Sequence, residues 1–367
     1  MATLLKQLEK VGLSWWQAIL LIGMPLAIVG GQIGWAPALI FGLACAALIP
    51  LAGLIGESTE MLAERTGPKF GGLLNATLGN AAELIITIVA IREGLLELVK
   101  ASITGSILGN LLLVLGASLL LGGLKNGKQS FNRVTAGQNA NQLLLALIAL
   151  AIPSLFSSYI GPDTSIKVEQ FSIGVAVCML VIYVLGTLYA FQTPITETAL
   201  ARPSTEHGHK EIWSGPKAAI IMLIAVGGVV WLSELLVGTV EPILHEFPFI
   251  TEFFLGIILI PIIGNVAEHL VAVQVAIKND MELSMEIAMG SSLQIALFVA
   301  PVLIFVSLLF GEPYLTLHFN IFELIAVMSA SIIAAFVSLD GETNWLEGAQ
   351  LLVVYAILGL AFFYLPA

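Results

Sequence analysis

Charge is what this sequence has least of. Of 367 residues, 14 are Lys or Arg and 25 are Asp or Glu, 11% in all, against roughly 25% in a soluble domain. With 58% of its residues apolar, a soluble chain would need a core large enough to split into several domains. A lipid bilayer accepts the same residues directly. The net charge of −11 excludes nucleic acid as a partner. Cysteine is almost missing as well. Cys45 and Cys178 each sit inside an apolar run, with no CxxC spacing and no histidine cluster beside them. They read as small hydrophobes, which excludes a disulfide framework and a zinc site. HExxH is absent, and so is a glycine-rich phosphate loop. The first absence excludes an intramembrane metalloprotease, the second an ATP-driven pump. A cleavable leader is not evident: the start, MATLLKQLEKVGLSWWQ, is amphipathic, and the apolar run after it lacks a small-residue cleavage site. That run is expected to be a retained helix.

Long apolar runs are what the sequence does have. Between charged or Pro/Gly-rich breaks, eleven spans are expected, near 14–32, 36–58, 70–92, 98–122, 138–160, 168–191, 217–240, 252–277, 283–310, 318–338 and 345–365. Each approaches the roughly 20 residues that cross a bilayer as a helix. The fold class is therefore all-α and polytopic. Eleven spans put the termini on opposite sides. One side then holds Lys6, Lys10, Arg65, Lys69, Lys125, Lys128, Arg133, Arg202, Lys210, Lys217 and Lys278, and the other only Arg92, Lys100 and Lys167. The positive-inside rule places the first group, and the N-terminus, in the cytosol.

The longest polar stretch, 193–215, reads as a cytosolic linker, with His207 and His209 as solvated linker residues. It divides the chain into residues 1–35 with the first helix, a five-helix unit at 36–192, and a second at 216–367. The two units carry a repeat. Residues 79–116 contain GNAAELI and, later, GSILGNLLLVLG; residues 264–301 contain GNVAEHL and GSSLQIALFVAP. At a constant offset of 185, Gly79, Asn80, Glu83, Glu97, Gly105 and Ser106 match Gly264, Asn265, Glu268, Glu282, Gly290 and Ser291. An odd number of helices per unit inverts the second copy relative to the first. Inverted repeats with interrupted helices and a site at the membrane midplane are a transporter architecture.

Glu83 and Glu268 each lie in an otherwise apolar helix, where a charge costs about 2.5–3.5 kcal/mol on insertion scales. A structural salt bridge would need a basic partner, and no Lys or Arg lies mid-span. Each carboxylate is then neutralised by a proton or by a metal cation. Two carboxylates at close range cannot easily ionise together, whereas one divalent cation matches both. The site would alternate between a Ca²⁺-bound and a protonated state, which is the core of antiport. Gly79-Asn80 and Gly264-Asn265 are expected to loosen their helices, and Pro261 to free a backbone carbonyl. Carbonyl and amide oxygens suit Ca²⁺, which takes 6–8 oxygen ligands. Asn80 and Asn265 share a helix face with their glutamates at i, i+3. Ser106 and Ser291 either line the site or serve close helix packing. Gln294 is a further ligand candidate, ahead of Asn110. His269, where the first copy has Leu84, is a candidate proton relay or a helix-contact histidine. Glu57, Glu60 and Glu234 either line an access path or are solvated at the membrane interface.

These motifs resemble the cation/proton exchanger family of the calcium/cation antiporter superfamily. RTGPKFGGLLNATLGN at 65–80 and SELLVG at 233–238 extend the resemblance, which runs from about residue 35 to the end. It implies Ca²⁺ export or sequestration driven by a proton gradient. Glu83 and Glu268 would be the central cation and proton groups, surrounded by Asn80, Asn265, Ser106, Ser291 and Gln294. The histidine of GNVAEH favours this family over the sodium/calcium exchangers of the same superfamily. A Na⁺/Ca²⁺ exchanger and a broader divalent (Mn²⁺)/H⁺ antiporter are the alternatives. No cofactor is implied, Ca²⁺ being the transported substrate. The implied partners are Ca²⁺, H⁺ and the lipid bilayer, with a homo-oligomer allowed. The short stretch before the first span and the linker without a dense acidic run suggest a prokaryotic-type form in the cell membrane.

Overall fold

A computed structural model describes residues 13–66, 74, 77–162, 165–192 and 213–365. Among the described residues the main helices follow in the order α1 (Trp15–Ile33), α2 (Pro37–Thr66), α3 (Ala81–Arg92), α4 (Leu96–Asn126), α5 (Arg133–Ile160), α6 (Ile166–Gln192), α7 (Gly215–Glu246), α8 (Glu252–Ile277), α9 (Met281–Ser307), α10 (Ile321–Val337) and α11 (Trp345–Tyr364). Among the described residues nine are long and apolar enough to cross a membrane. The two others are α3, with 12 residues, and α10, with 17. The chain is an all-α polytopic membrane protein. Helices prevail because a bilayer offers backbone N–H and C=O groups no water, and a helix satisfies them internally.

The ends follow from local chemistry. Gly34, at φ 74°, terminates α1 in the left-handed conformation and allows the short step to α2. Asn132, Asp280, Asn320 and Asn344 accept backbone N–H groups at the starts of α5, α9, α10 and α11. Asn320 and Asn344 close capping boxes with Glu323 and Glu347.

Helix directions follow from contacts at the ends. Arg92, ending α3, pairs with Glu234 on α7 at 3.0 Å. Beside it the Leu98 N–H, at the start of α4, donates to Glu252 at the start of α8. At the opposite face Asn126, ending α4, donates to the carbonyls of Ala276 and Ile277, ending α8. A two-residue ribbon, β1 (Gln129–Ser130) with β2 (Glu342–Thr343), joins the α4–α5 and α10–α11 loops there, pairing Gln129 with Thr343. So α3 ends at the face where α8 begins, and the two GNxAE helices run antiparallel. α4 is the most enclosed helix, while α1, α6 and α11 present most of their surface to lipid.

Two expectations about helix interruption resolve differently. Gly79-Asn80 form a turn ahead of α3, as expected. Gly264-Asn265 do not interrupt α8, which is helical through both residues. The irregularity lies earlier, as a π-helical turn at Leu255–Leu259. Pro261 has no N–H for the carbonyl four residues back, and a widened turn ahead of it absorbs the mismatch. Similar π-turns occupy Gly109–Val114 in α4 and Ile295–Val299 in α9, at equivalent places in the two repeats.

Candidate functional site

The site forms where α3 and α8 cross α4 and α9. Asn80 caps α3, so Glu83 falls in its first turn. The antiparallel helices pack in contact at Gly264, where a Cβ would lie 3.7 Å from that of Glu83. Glu83 is 1% exposed, and both its oxygens are engaged. Ser106 donates a short hydrogen bond to one, and Asn265 Nδ2 lies 3.4 Å from the other. Asn265 also reaches Ser106 Oγ and the Pro261 carbonyl, each at 3.2 Å. Glu268 accepts from Ser291 Oγ at 3.0 Å. The two serine–glutamate bonds span the same 23 residues in their respective repeats, so the internal repeat is geometric as well as sequential. Glu268 is partly buried.

The amides break the symmetry. Asn80 Nδ2 donates to Gln294 Oε1 at 2.9 Å, joining the first repeat to the second. Its own carbonyl oxygen is buried with no hydrogen-bond donor. In the first repeat the residue equivalent to Gln294 is Gly109, which offers Asn265 no side-chain acceptor, and Asn265 bonds to Glu83 and Ser106 instead. Oxygen atoms are therefore plentiful: two carboxylates, two serine hydroxyls, and the amide carbonyls of Asn80, Asn265 and Gln294. This donor set matches a hard divalent cation.

His269 points away from the carboxylates. Its Nε2 lies 3.2 Å from Asn110 Oδ1 on the π-turn of α4. That geometry ties α8 to α4, and Asn110, ranked behind Gln294 on sequence, is what holds the histidine. The acids placed near the membrane surface separate. Gly53 on α2 faces Ala267, with Cβ positions 3.9 Å apart. Glu57 and Glu60 follow at i+4 and i+7 on that same face of α2, Glu57 half-buried and Glu60 exposed. Glu234 lies at the opposite face, half-exposed and ion-paired to Arg92.

Lys100, grouped with Arg92 and Lys167 on the less basic side, lies inside the expected span 98–122 but close to its end rather than mid-span. The structure places Lys100 on the second turn of α4, 6% exposed and bonded to Glu97 at 2.8 Å. An amphipathic lysine stem buries readily where its ammonium group meets a carboxylate. Its partner is Glu97, not Glu83 or Glu268. Sequence reasoning also missed Glu323, 1% exposed at the start of α10, which accepts from Thr104 on α4 at 2.7 Å and from the Asn320 N–H at 2.8 Å. The N-x-x-E capping box at 320–323 was its only signal.

A family model described as sodium/calcium exchanger protein matches residues 36–192 and 217–364. A protein of Synechocystis named Ca(2+)/H(+) antiporter is 42% identical over 365 residues, covering 95% of this chain and 97% of the other. The Ca(2+)/H(+) antiporter ChaA of Bacillus subtilis is 42% identical over 348 residues, covering 94% and 97%. The solved structure of native YfkE superposes with a TM-score of 0.82 at 40% identity, covering 95% of this chain and 100% of that one.

Proposed function

The chain belongs to the sodium/calcium exchanger protein family, and we infer that it is a secondary active Ca²⁺/H⁺ antiporter. The observation that carries this reading is the pair Glu83 and Glu268 on antiparallel, symmetry-related helices, with no basic side chain among the described residues bonded to either. Such a pair repels itself unless a cation or protons neutralise it. Ca²⁺ satisfies both carboxylates at once and takes its remaining ligands from Ser106, Ser291, Asn80, Asn265 and Gln294. Protons arriving at the carboxylates remove the charge that holds Ca²⁺ and release it. The site thus carries Ca²⁺ one way and protons the other.

Orientation follows the same logic. With Lys125, Lys128 and Lys278 facing the cytosol, Glu57 and Glu60 line the cytosolic approach along α2. His269 acts as a helix-contact residue through Asn110. The bacterial relatives favour the cell membrane as the location.

Purified protein in proteoliposomes tests the reading. Vesicles acid inside should take up Ca²⁺ without Na⁺, and acidifying the Ca²⁺ side should raise the half-saturating Ca²⁺ concentration, since protons compete for the same oxygens. Uptake that needs Na⁺ and ignores the pH gradient would overturn the proton assignment in favour of Na⁺/Ca²⁺ exchange. Glu83→Gln and Glu268→Gln should each abolish exchange in folded protein, because either leaves a single carboxylate for a divalent cation.

A further inference from the structure

The two halves of the cation site are built alike but held differently. In the first repeat, three consecutive residues of α4 are clamped. Thr104 donates to the buried Glu323 on α10 at 2.7 Å. The second oxygen of Glu323 is fixed by the Asn320 N–H at 2.8 Å, so the carboxylate has little freedom to turn. Gly105 lies flush on the second repeat: a Cβ there would collide with the backbone of Ile257, in the π-turn of α8. Ser106 then meets Glu83.

The equivalent stretch of α9 is Met289-Gly290-Ser291. Met289 replaces Thr104 and offers only a thioether, 3.8 Å from the Ser338 hydroxyl. Gly290 has open space where a Cβ would stand. Ser291 reaches Glu268 at 3.0 Å, and Glu268 is partly buried. Among the described residues, no carboxylate is bonded to Met289 as Glu323 is to Thr104.

We propose that Thr104 and Glu323 are positioning residues: they set the register of α4 against α10 so that Ser106 stands on Glu83, making the Glu83 half of the cation site rigid and the Glu268 half adaptable. This rests on Ser106 and Glu83 being groups of the cation site. A buried carboxylate is a costly way to hold a helix unless its position matters. Here it fixes a hydroxyl two residues from a ligand, where a displacement of a fraction of an ångström changes coordination. The asymmetry also gives the transport cycle a fixed reference, with the adaptable half closing on the cation and opening again.

The test is a double-mutant cycle read in proteoliposomes. Thr104→Val should raise the half-saturating Ca²⁺ concentration about tenfold, the scale of one buried hydrogen bond lost, while the maximal rate changes by less than about twofold. Thr104→Ser should restore the wild-type value. In a Ser106→Ala background, Thr104→Val should add nothing, since its effect runs through that hydroxyl. Met289→Leu, at the equivalent place in the second repeat, should leave half-saturation unchanged. Thr104→Ala serves in place of valine if Thr104→Val fails to fold, judged by thermal unfolding. Wild-type half-saturation in folded Thr104→Val, or effects that multiply with Ser106→Ala, would overturn the proposal. If Glu83→Gln is inactive while Thr104→Val is normal, the positioning role alone fails. If Glu83→Gln still exchanges, the cation site itself is misassigned and the proposal falls with it.

Discussion

Asn80 and Asn265 occupy equivalent positions in the two repeats and do different things. Asn265 spends its amide N–H₂ on Glu83, Ser106 and the Pro261 carbonyl. Asn80 spends its own on Gln294 and leaves a carbonyl oxygen buried without a donor. An unsatisfied buried acceptor costs roughly 1–3 kcal/mol, and in the proposed cation site this oxygen would serve as a ligand. The two alanine variants should therefore separate. Asn265→Ala should lower the melting temperature of the Ca²⁺-free protein, because it strips partners from a buried carboxylate. Asn80→Ala should leave that temperature closer to wild type but shrink the thermal stabilisation that added Ca²⁺ confers. Differential scanning fluorimetry in detergent, with and without Ca²⁺, measures both. Full Ca²⁺ stabilisation in Asn80→Ala would remove its carbonyl from the ligand set.

At the scale of elements, the contrast lies between α4 and α9. Gly105 and Gly290 are repeat equivalents, yet one is pressed on a neighbouring backbone and the other faces open space. Backbone cannot rotate away as a side chain can. Gly105→Ala should thus destabilise the fold by about 1–3 kcal/mol, the usual cost of overpacking. Gly290→Ala carries no such clash and gains up to about 1 kcal/mol of helix propensity. Thermal unfolding of the two variants side by side checks this, and equal losses would mean that the α4–α8 contact relaxes freely. The π-turns belong to this scale too. They sit where Pro261 breaks the bonding ladder of α8 and just beyond the Gly–Ser pairs of α4 and α9, so three wide turns surround the site.

For the whole molecule the question is which face is which. Asn126, Gln129 and Lys128 are bonded to Ala276, Asn279 and Glu342, so the α4–α5, α8–α9 and α10–α11 loops share one face. Arg92, Glu234 and Glu252 belong to the other. From the charge asymmetry we propose that the first face is the cytosolic one. With Cys45 and Cys178 replaced by alanine, Lys128→Cys and Lys278→Cys should react with an impermeant maleimide from the cytosolic side. Arg92→Cys should react from the opposite side only. Labelling of Lys128→Cys and Arg92→Cys from the same side would break the topology.

Much of this was legible in the residues. All eleven expected spans have a helix, although residues 70–73 and 75–76 of the third lie outside the described residues. Bilayer thickness sets a length that apolar runs must meet, so spans can be counted without knowing how they pack. Glu83 and Glu268 were legible because a carboxylate in an apolar run, repeated at one offset, is too costly to be incidental. Lys100 and Glu323 were not. Each lies near a helix start, where sequence cannot distinguish a residue facing water from one turned inward, and only the packing of α10 on α4 buries them. The sequence by itself determined a membrane-spanning helical protein with two inverted copies of one acidic motif, because hydrophobic length and repeated charge are local properties. Tertiary structure alone decided that Asn265 serves the glutamate of the other repeat, that His269 turns to Asn110, and that Gly105 is pressed on the backbone of α8 while Gly290 faces open space. Those outcomes depend on which side chains meet across helices far apart in the chain, and symmetry in the sequence does not fix them.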